Sequence, residues 1–255
     1  ATQTCRPPSL DLAMRQAATM TEPAAPEQTT PIVPLPPGPV ADQAALAHVG
    51  RKVRERLAAD PAAYKVPVDR AEIYALADFL SPAECERFIT MIDANAEPSR
   101  VLDHGYKGVF RTSSSSDVDR EDPFVRMIER RIDDLVGLDN SFGEVIQGQR
   151  YLVGQEFKAH NDWLHTGAPY WPEEAARGGQ RSGTAMIYLN DVEEGGITEF
   201  VQLGVSIPPQ RGALLLWNNA REDGLVNHDT LHAAHPVIRG VKYVITKWYR
   251  TRPWG

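Results

Sequence analysis

Apolar residues recur at three- and four-residue spacing through Leu46, Val49, Val53 and Leu57, with Arg and Lys between them. That period predicts an amphipathic helix from Ala41 to about Asp60. Ser81-Pro82-Ala83-Glu84 is a capping box with Pro at the first helical position, and Phe88, Ile89 and Ile92 supply the apolar face of the helix it starts. The preceding stretch, 70–80, reads as a strand or short turn leading into that cap. Asp122-Pro123 starts a third helix, with Val125, Ile128, Ile132 and Leu135 on one side and a stop near Gly137. All three read as packing elements.

After Gly137 the pattern changes to short apolar runs bounded by Gly, Pro, Asn and Asp. Strands are predicted at Glu144–Leu152, Gly183–Leu189, Thr198–Phe200, Ala213–Trp217 and Val241–Arg250, with turns at Asn190-Asp191, Gly195-Gly196, Pro208-Pro209, Asn218-Asn219 and Arg239-Gly240. Many short strands after a run of helices imply a mainly β fold with flanking helices, a sandwich or barrel with helices packed outside. The four consecutive serines Ser113–Ser116 read as a solvated loop, although Arg111 beside them is a planar donor suited to a carbonyl or carboxylate.

Nine of the 20 prolines fall in residues 1–40, which carry almost no periodic pattern and read as a flexible Pro-rich segment. Met14 and Met20 within it offer alternative translation starts. The rest of the composition is ordinary for a globular chain: 42% hydrophobic, 24% charged, net charge −7. That charge gives no case for nucleic acid or an anionic membrane surface, and no apolar run is long enough to span a bilayer. With only Cys5 and Cys85 and no apolar signal core, the expectation is a cytoplasmic chain without a structural disulfide.

The chemistry concentrates between Tyr151 and Trp248. His160-Asn161-Asp162 places two ligand types two residues apart, and on extended backbone such residues project to one side roughly 7 Å apart at Cα. With a later histidine they make the two-His-one-carboxylate face of a non-haem iron(II) site. His228, His232 and His235 compete for that last place. His165 is better explained as part of a loop. Residues 163–180, with two Trp, Tyr170 and terminal glycines, suit a lid that excludes water.

The order of motifs resembles the catalytic domain of prolyl 4-hydroxylases, members of the Fe(II)- and 2-oxoglutarate-dependent dioxygenases. It runs from Leu80-Ser81 and Arg111-Thr112-Ser113 through Tyr151-x-Val-Gly-Gln-Glu-Phe-x-x-His160-x-Asp162 and Tyr188-Leu-Asn-Asp-Val-Glu-Glu-Gly-Gly-x-Thr198. It continues with Pro209-x-x-Gly212-Ala-Leu-Leu-Leu-Trp217-x-Asn219 and Leu231-His232-Ala-Ala-x-Pro236-Val237-x-x-Gly240-x-Lys242, ending at Lys247-Trp248. The resemblance covers roughly residues 75–250 and implies a double-stranded β-helix, or jelly roll, of about 144–250. The dioxygenase domain would then be 71–255, with 41–70 a helical extension.

What the resemblance implies about the site is specific. Iron(II) would sit on His160, Asp162 and His232, and 2-oxoglutarate would be held by Tyr151, Lys242 and Thr198, with O2 as co-substrate and ascorbate as reductant. Arg111, Ser113, Glu144, Arg181 and Trp248 would line a groove for a proline-containing peptide or protein hydroxylated at C4. Phe157 departs from a common Tyr and Arg250 from a common His, which keeps hydroxylation of a free amino acid or small metabolite open. A third reading is a non-catalytic module, or a zinc protein using the same three ligands.

Overall fold

A computed structural model describes residues 41–99 and 111–255. The Pro-rich segment 1–40, with Cys5, and the stretch 100–110 lie outside the described residues. The three predicted helices are α1 (Gln43–Ala58), α2 (Pro82–Asn95) and α3 (Pro123–Val136). Each starts at a side-chain cap: Asp42 accepts from Ala45 N, Ser81 and Glu84 form the reciprocal box, and Asp122 accepts from Phe124 N. Gly137 ends α3 at φ 70°, a left-handed conformation that glycine adopts without penalty.

Eight strands form one antiparallel sheet. In chain order they are β1 (Tyr64–Lys65), β2 (Ile73–Leu76), β3 (Glu97–Pro98), β4 (Ser114–Asp117), β5 (Gln147–Tyr151), and then, after β6 (Phe157–His160), β7 (Arg181–Tyr188). After β8 (Glu194–Gly195), β9 (Thr198–Phe200) and β10 (Val205–Ile207) comes β11 (Leu214–Asn218). The last strands are β12 (His232–Ala234), β13 (Val237–Arg239) and β14 (Lys242–Arg250). The large sheet runs β1-β2-β11-β7-β14-β5-β4-β3, the smaller one β10-β9-β12-β6, and β13 pairs with β8 alone.

The large sheet is covered on both faces, so its central strands are apolar almost continuously. On its outer side Leu214, Leu216, Ile187, Ile245 and Tyr249 pack with Val53, Phe88, Ile92, Ile128 and Ile132 of the three helices. On its inner side Leu215, Trp217, Met186, Tyr188, Tyr151 and Val244 pack with Phe200 and Ile207 of the smaller sheet. Two facing sheets with helices outside make the expected jelly roll. The helix of residues 41–70 belongs to the same core, since Val49, Val53 and Leu57 are buried in it.

One expectation needs correction, and another gains detail. Ser114–Ser116 is not a solvated loop but part of β4, paired with β5 through Ser114↔Arg150, Ser115↔Gln149 and Ser116↔Gly148. Pairing to an already formed strand outweighs the poor strand propensity of serine. Residues 163–180, expected as a lid, contain α4 (Trp171–Arg177), and Leu164, Ala168 and Trp171 within them are buried.

Candidate functional site

Strand pairing brings the metal-ligand candidates together. β12 lies between β6 and β9, and its first residue, His232, is the direct cross-strand partner of His160. Opposed side chains on one face of an antiparallel pair are close neighbours, and the two rings lie 4.3 Å apart between centroids. Asp162 follows just beyond the end of β6. Its carboxylate oxygens sit 3.9 Å from His160 Nε2 and 3.8 Å from His232 Nε2. One ligand atom from each of the three residues lies within 4.8 Å of the others, a separation that a single ion can bridge. His228 instead meets Trp163 edge-on, and His235 pairs at the surface with Glu199 at 2.6 Å. The competition for the third ligand is therefore decided by register, and His165 remains in its loop, accepting from Gly167 N.

The surroundings prepare these groups as ligands. His160 Nδ1 is 2.8 Å from Lys158 O and His232 Nδ1 is 2.9 Å from Thr230 O. A carbonyl can only accept, so each Nδ1 carries the proton and each Nε2 lone pair faces the cavity. Burial, with His232 adding to it, pushes the His160 imidazole down to about 3, which keeps it in the neutral form that binds metal. Burial alone would raise the Asp162 carboxyl, but His232, His160, Arg181 and the Thr184 hydroxyl together hold it below its ordinary range. Thr184 donates to Asp162 Oδ2 at 2.8 Å from the opposite sheet, and Asn219 donates to Thr184 at 3.0 Å. Phe157 stacks on His160 at 3.6 Å, and Trp217 meets His232 at 4.9 Å.

A second cross-strand pair sits on the inner face of the large sheet. Lys242, the first residue of β14, is opposite Tyr151, the last of β5. Its ammonium is 5.4 Å from the Tyr151 ring and 5.5 Å from the Tyr188 ring, and donates to Thr198 Oγ1 at 3.3 Å. Tyr188 OH donates to the same oxygen at 2.8 Å. With both lone pairs used, Thr198 has its own proton left to offer. Lys242 is 1% exposed, and among the described residues no carboxylate is paired with it. Burial pushes its ammonium down to about 7. A buried, unpaired ammonium is what an anionic ligand would neutralise.

Both clusters line one open-mouthed cavity. Tyr151, Phe157, His160, Asp162, Thr198, His232, Lys242 and Trp248 contribute to its wall. A neutral-imidazole and carboxylate set at one end, and an unpaired cation at the other, fit an iron(II) ion chelated by a dicarboxylate. The Tyr151 hydroxyl is engaged with Gln149 Oε1 at 2.7 Å, and Gln149 in turn donates to Thr246 at 3.2 Å.

The expected substrate residues are more scattered. Trp248 lines the cavity. Arg181 stacks over its ring at 4.0 Å and makes a two-pronged ion pair with Glu144, 2.7 Å on each arm. Arg111 lies over Phe157 at 4.8 Å and donates to Ser113 and Gln147, while Ser113 is buried against Ser99. Sequence reasoning missed Tyr188, Thr184 and Gln149 as site residues. The signal was there for the first two: alternation along β7 sets Thr184, Met186 and Tyr188 on one face.

Comparison with known proteins agrees with this geometry. Residues 146–250 match the model of the 2OG-Fe(II) oxygenase superfamily. The chain is 34% identical over 199 residues to prolyl 4-hydroxylase subunit alpha-1 of Rattus norvegicus, covering 75% of this chain but 37% of that protein. It is 30% identical over 215 residues to prolyl 4-hydroxylase 2 of Arabidopsis thaliana, covering 74% of this chain and 70% of the plant protein. Among solved structures, the 2-oxoglutarate complex of the viral collagen prolyl hydroxylase of Paramecium Bursaria Chlorella virus-1 superposes with a TM-score of 0.55 at 25% identity. That match covers 69% of this chain and 94% of the viral one. The chain thus spans well under half of the animal subunit and most of the shorter relatives.

Proposed function

Because the chain belongs to the prolyl 4-hydroxylase family of 2-oxoglutarate- and iron(II)-dependent oxygenases, we propose that it hydroxylates peptidyl proline at C4. The observation that carries this reading is the single cavity with His160, Asp162 and His232 at one end and the unpaired Lys242 at the other. In this reading the three ligands hold iron(II) by Nε2, a carboxylate oxygen and Nε2. Lys242 and Thr198 would hold the far carboxylate of 2-oxoglutarate, with Tyr188 orienting the Thr198 hydroxyl and Tyr151 beside them. When bound, iron(II) with 2-oxoglutarate and O2 supplies an oxidant for an unactivated C–H, with succinate and CO2 as co-products. The protein contributes position and environment. Thr184 fixes the Asp162 carboxylate, Trp217 and Phe157 hold the imidazoles by contact, and the apolar inner faces exclude water. Trp248 offers a flat apolar wall for a proline ring, and Arg181 is a donor beside it. The catalytic unit is residues 71–255, with residues 41–70 packed onto it.

The test is direct. Purified protein is supplied with iron(II), 2-oxoglutarate, ascorbate and air, together with a proline-rich peptide or free proline. The expected result is succinate formation matched by a gain of one oxygen on a peptidyl proline. Oxygen gained by free proline alone would move the substrate to small amino acids. Succinate formed with neither acceptor modified would leave the cofactor reading and remove the prolyl one. Replacing His232 by Ala should abolish turnover, and replacing His235 by Ala should leave it.

A further inference from the structure

The segment between Asp162 and Arg181 leaves the metal site and returns at the substrate side, and its two ends are fastened differently. At its base the Gln180 amide, 1% exposed, donates to Leu164 O at 2.7 Å and accepts from Leu164 N at 2.6 Å. Its outer part is held by one residue of β14. Arg250, 2% exposed, places Nε 2.5 Å from Glu144 Oε1, donates Nη1 to Gly179 O at 2.7 Å, and pairs Nη2 with Glu174 of α4. Three directions are served from one plane, which a guanidinium can do and an ammonium cannot. The chain is shaped around it: a Cβ on Gly178 would meet the Arg250 side chain at 3.2 Å and the Trp254 backbone at 3.3 Å. Backbone bonds from Thr251 to Gln180 and from Arg252 to Gly178 continue the attachment.

The same guanidinium reaches the cavity wall by a chain of contacts. Glu144 is shared between Arg250 and Arg181, and Arg181 lies on the face of Trp248, which lines the cavity. Glu144 N also donates to Trp248 O at 2.8 Å. The two arginines and two glutamates cancel in charge, so the stack itself adds no net charge beside Trp248. We propose that Arg250 is a positioning residue for peptide binding. It latches the 163–180 segment to the β-core and sets the Glu144–Arg181–Trp248 stack against which the peptide lies. The latch stands on the geometry; its consequence for the peptide rests on the prolyl hydroxylase reading.

Two readouts on the full chain separate these levels. Hydrogen–deuterium exchange of residues 163–180 reads the latch without any turnover, and peptide KM against kcat reads its consequence. In Arg250→Lys, amides of 171–180 should exchange about tenfold faster and peptide KM should rise about tenfold. The kcat should fall less than threefold, the pattern of losing one charge-assisted hydrogen bond that holds the groove. In Glu174→Gln, which cuts the outer arm and keeps the Arg250–Glu144 pair, exchange should rise and KM should climb about threefold. This second variant decides the matter if Arg250→Lys does not fold. Unchanged exchange in Glu174→Gln overturns the latch. Faster exchange with unchanged peptide KM overturns the positioning role. A wild-type protein that hydroxylates no peptide fails the prolyl reading instead, and the exchange result then decides the latch alone.

Discussion

Strand β14 buries two lysines on opposite faces, and they live by different rules. Lys247 faces the helices, with Nζ 2.8 Å from Asp133 Oδ1 and 3.4 Å from Glu129 Oε1, and the Tyr249 hydroxyl also donates to Asp133 at 2.6 Å. Lys242 faces the inside of the jelly roll, equally buried, with a threonine hydroxyl and two tyrosine rings for company. Burial of a charge is tolerated when a partner of opposite sign is built in, and otherwise it is expensive. Lys247 has its partners within the fold and is read as structure. Among the described residues Lys242 has no such partner, and the missing counter-charge is read as a ligand's. The comparison teaches that the place to look for a dicarboxylate is the cation whose counter-charge the described residues do not supply.

The largest effect that would break this contrast is on stability. Lys247→Met leaves the buried Asp133 carboxylate without its cation, while Glu129 keeps Arg120 at 3.5 Å, and should cost about 3–5 kcal/mol in urea unfolding. Lys242→Met removes a charge with no partner and should leave stability equal or raise it by about 1 kcal/mol. Equal losses in both would mean that Lys242 also has a structural partner. Next in size is ligand affinity: Lys242→Met should weaken 2-oxoglutarate about 100-fold, the loss expected when one half of a buried charge pair is removed.

The pH dependence sharpens the same point. Burial holds the free Lys242 ammonium at about 7, and a bound carboxylate raises it. Above about pH 7 the dicarboxylate must therefore bind together with a proton, and its affinity should fall about tenfold per pH unit. Below pH 7, where Lys242 already carries its proton, the Lys242 contribution should be flat. Anaerobic binding titrations between pH 6 and pH 9 check this, and the slope should vanish in Lys242→Met. The smallest effect is expected at Thr198→Val, which removes one neutral donor to the ligand and should weaken 2-oxoglutarate about fivefold by the same titration.

How much of this could be read from the chain follows from distance along it. His160 and Asp162 are two residues apart, and Lys242 follows His232 within one turn and one strand, so spacing and motif order were enough to nominate residues that the fold brings to one cavity. The helix starts at Ser81 and Asp122 were equally legible, because caps are local. What pairs Lys247 was not, since Asp133 lies on α3, 114 residues earlier in the chain. The Ser114–Ser116 strand was hidden for a related reason: its residues have poor strand propensity and only the partner β5 defines it. Glu144 and Arg181 could be guessed as an ion pair. That Arg250 would share Glu144 and reach Glu174 depends on three segments meeting, which no local pattern records.

The central claim is that the metal ligands on β6 and β12 and the lysine on β14 serve one chelated dicarboxylate. Anaerobic titration of 2-oxoglutarate into the iron(II)-loaded protein, read by the visible metal-to-ligand charge-transfer band, tests it most directly. The account predicts a band that saturates in the wild type. In Lys242→Met the same band should reach the same intensity, but only at about 100-fold higher 2-oxoglutarate. A wild type without the band, or a Lys242→Met protein that saturates at the wild-type concentration, would contradict it.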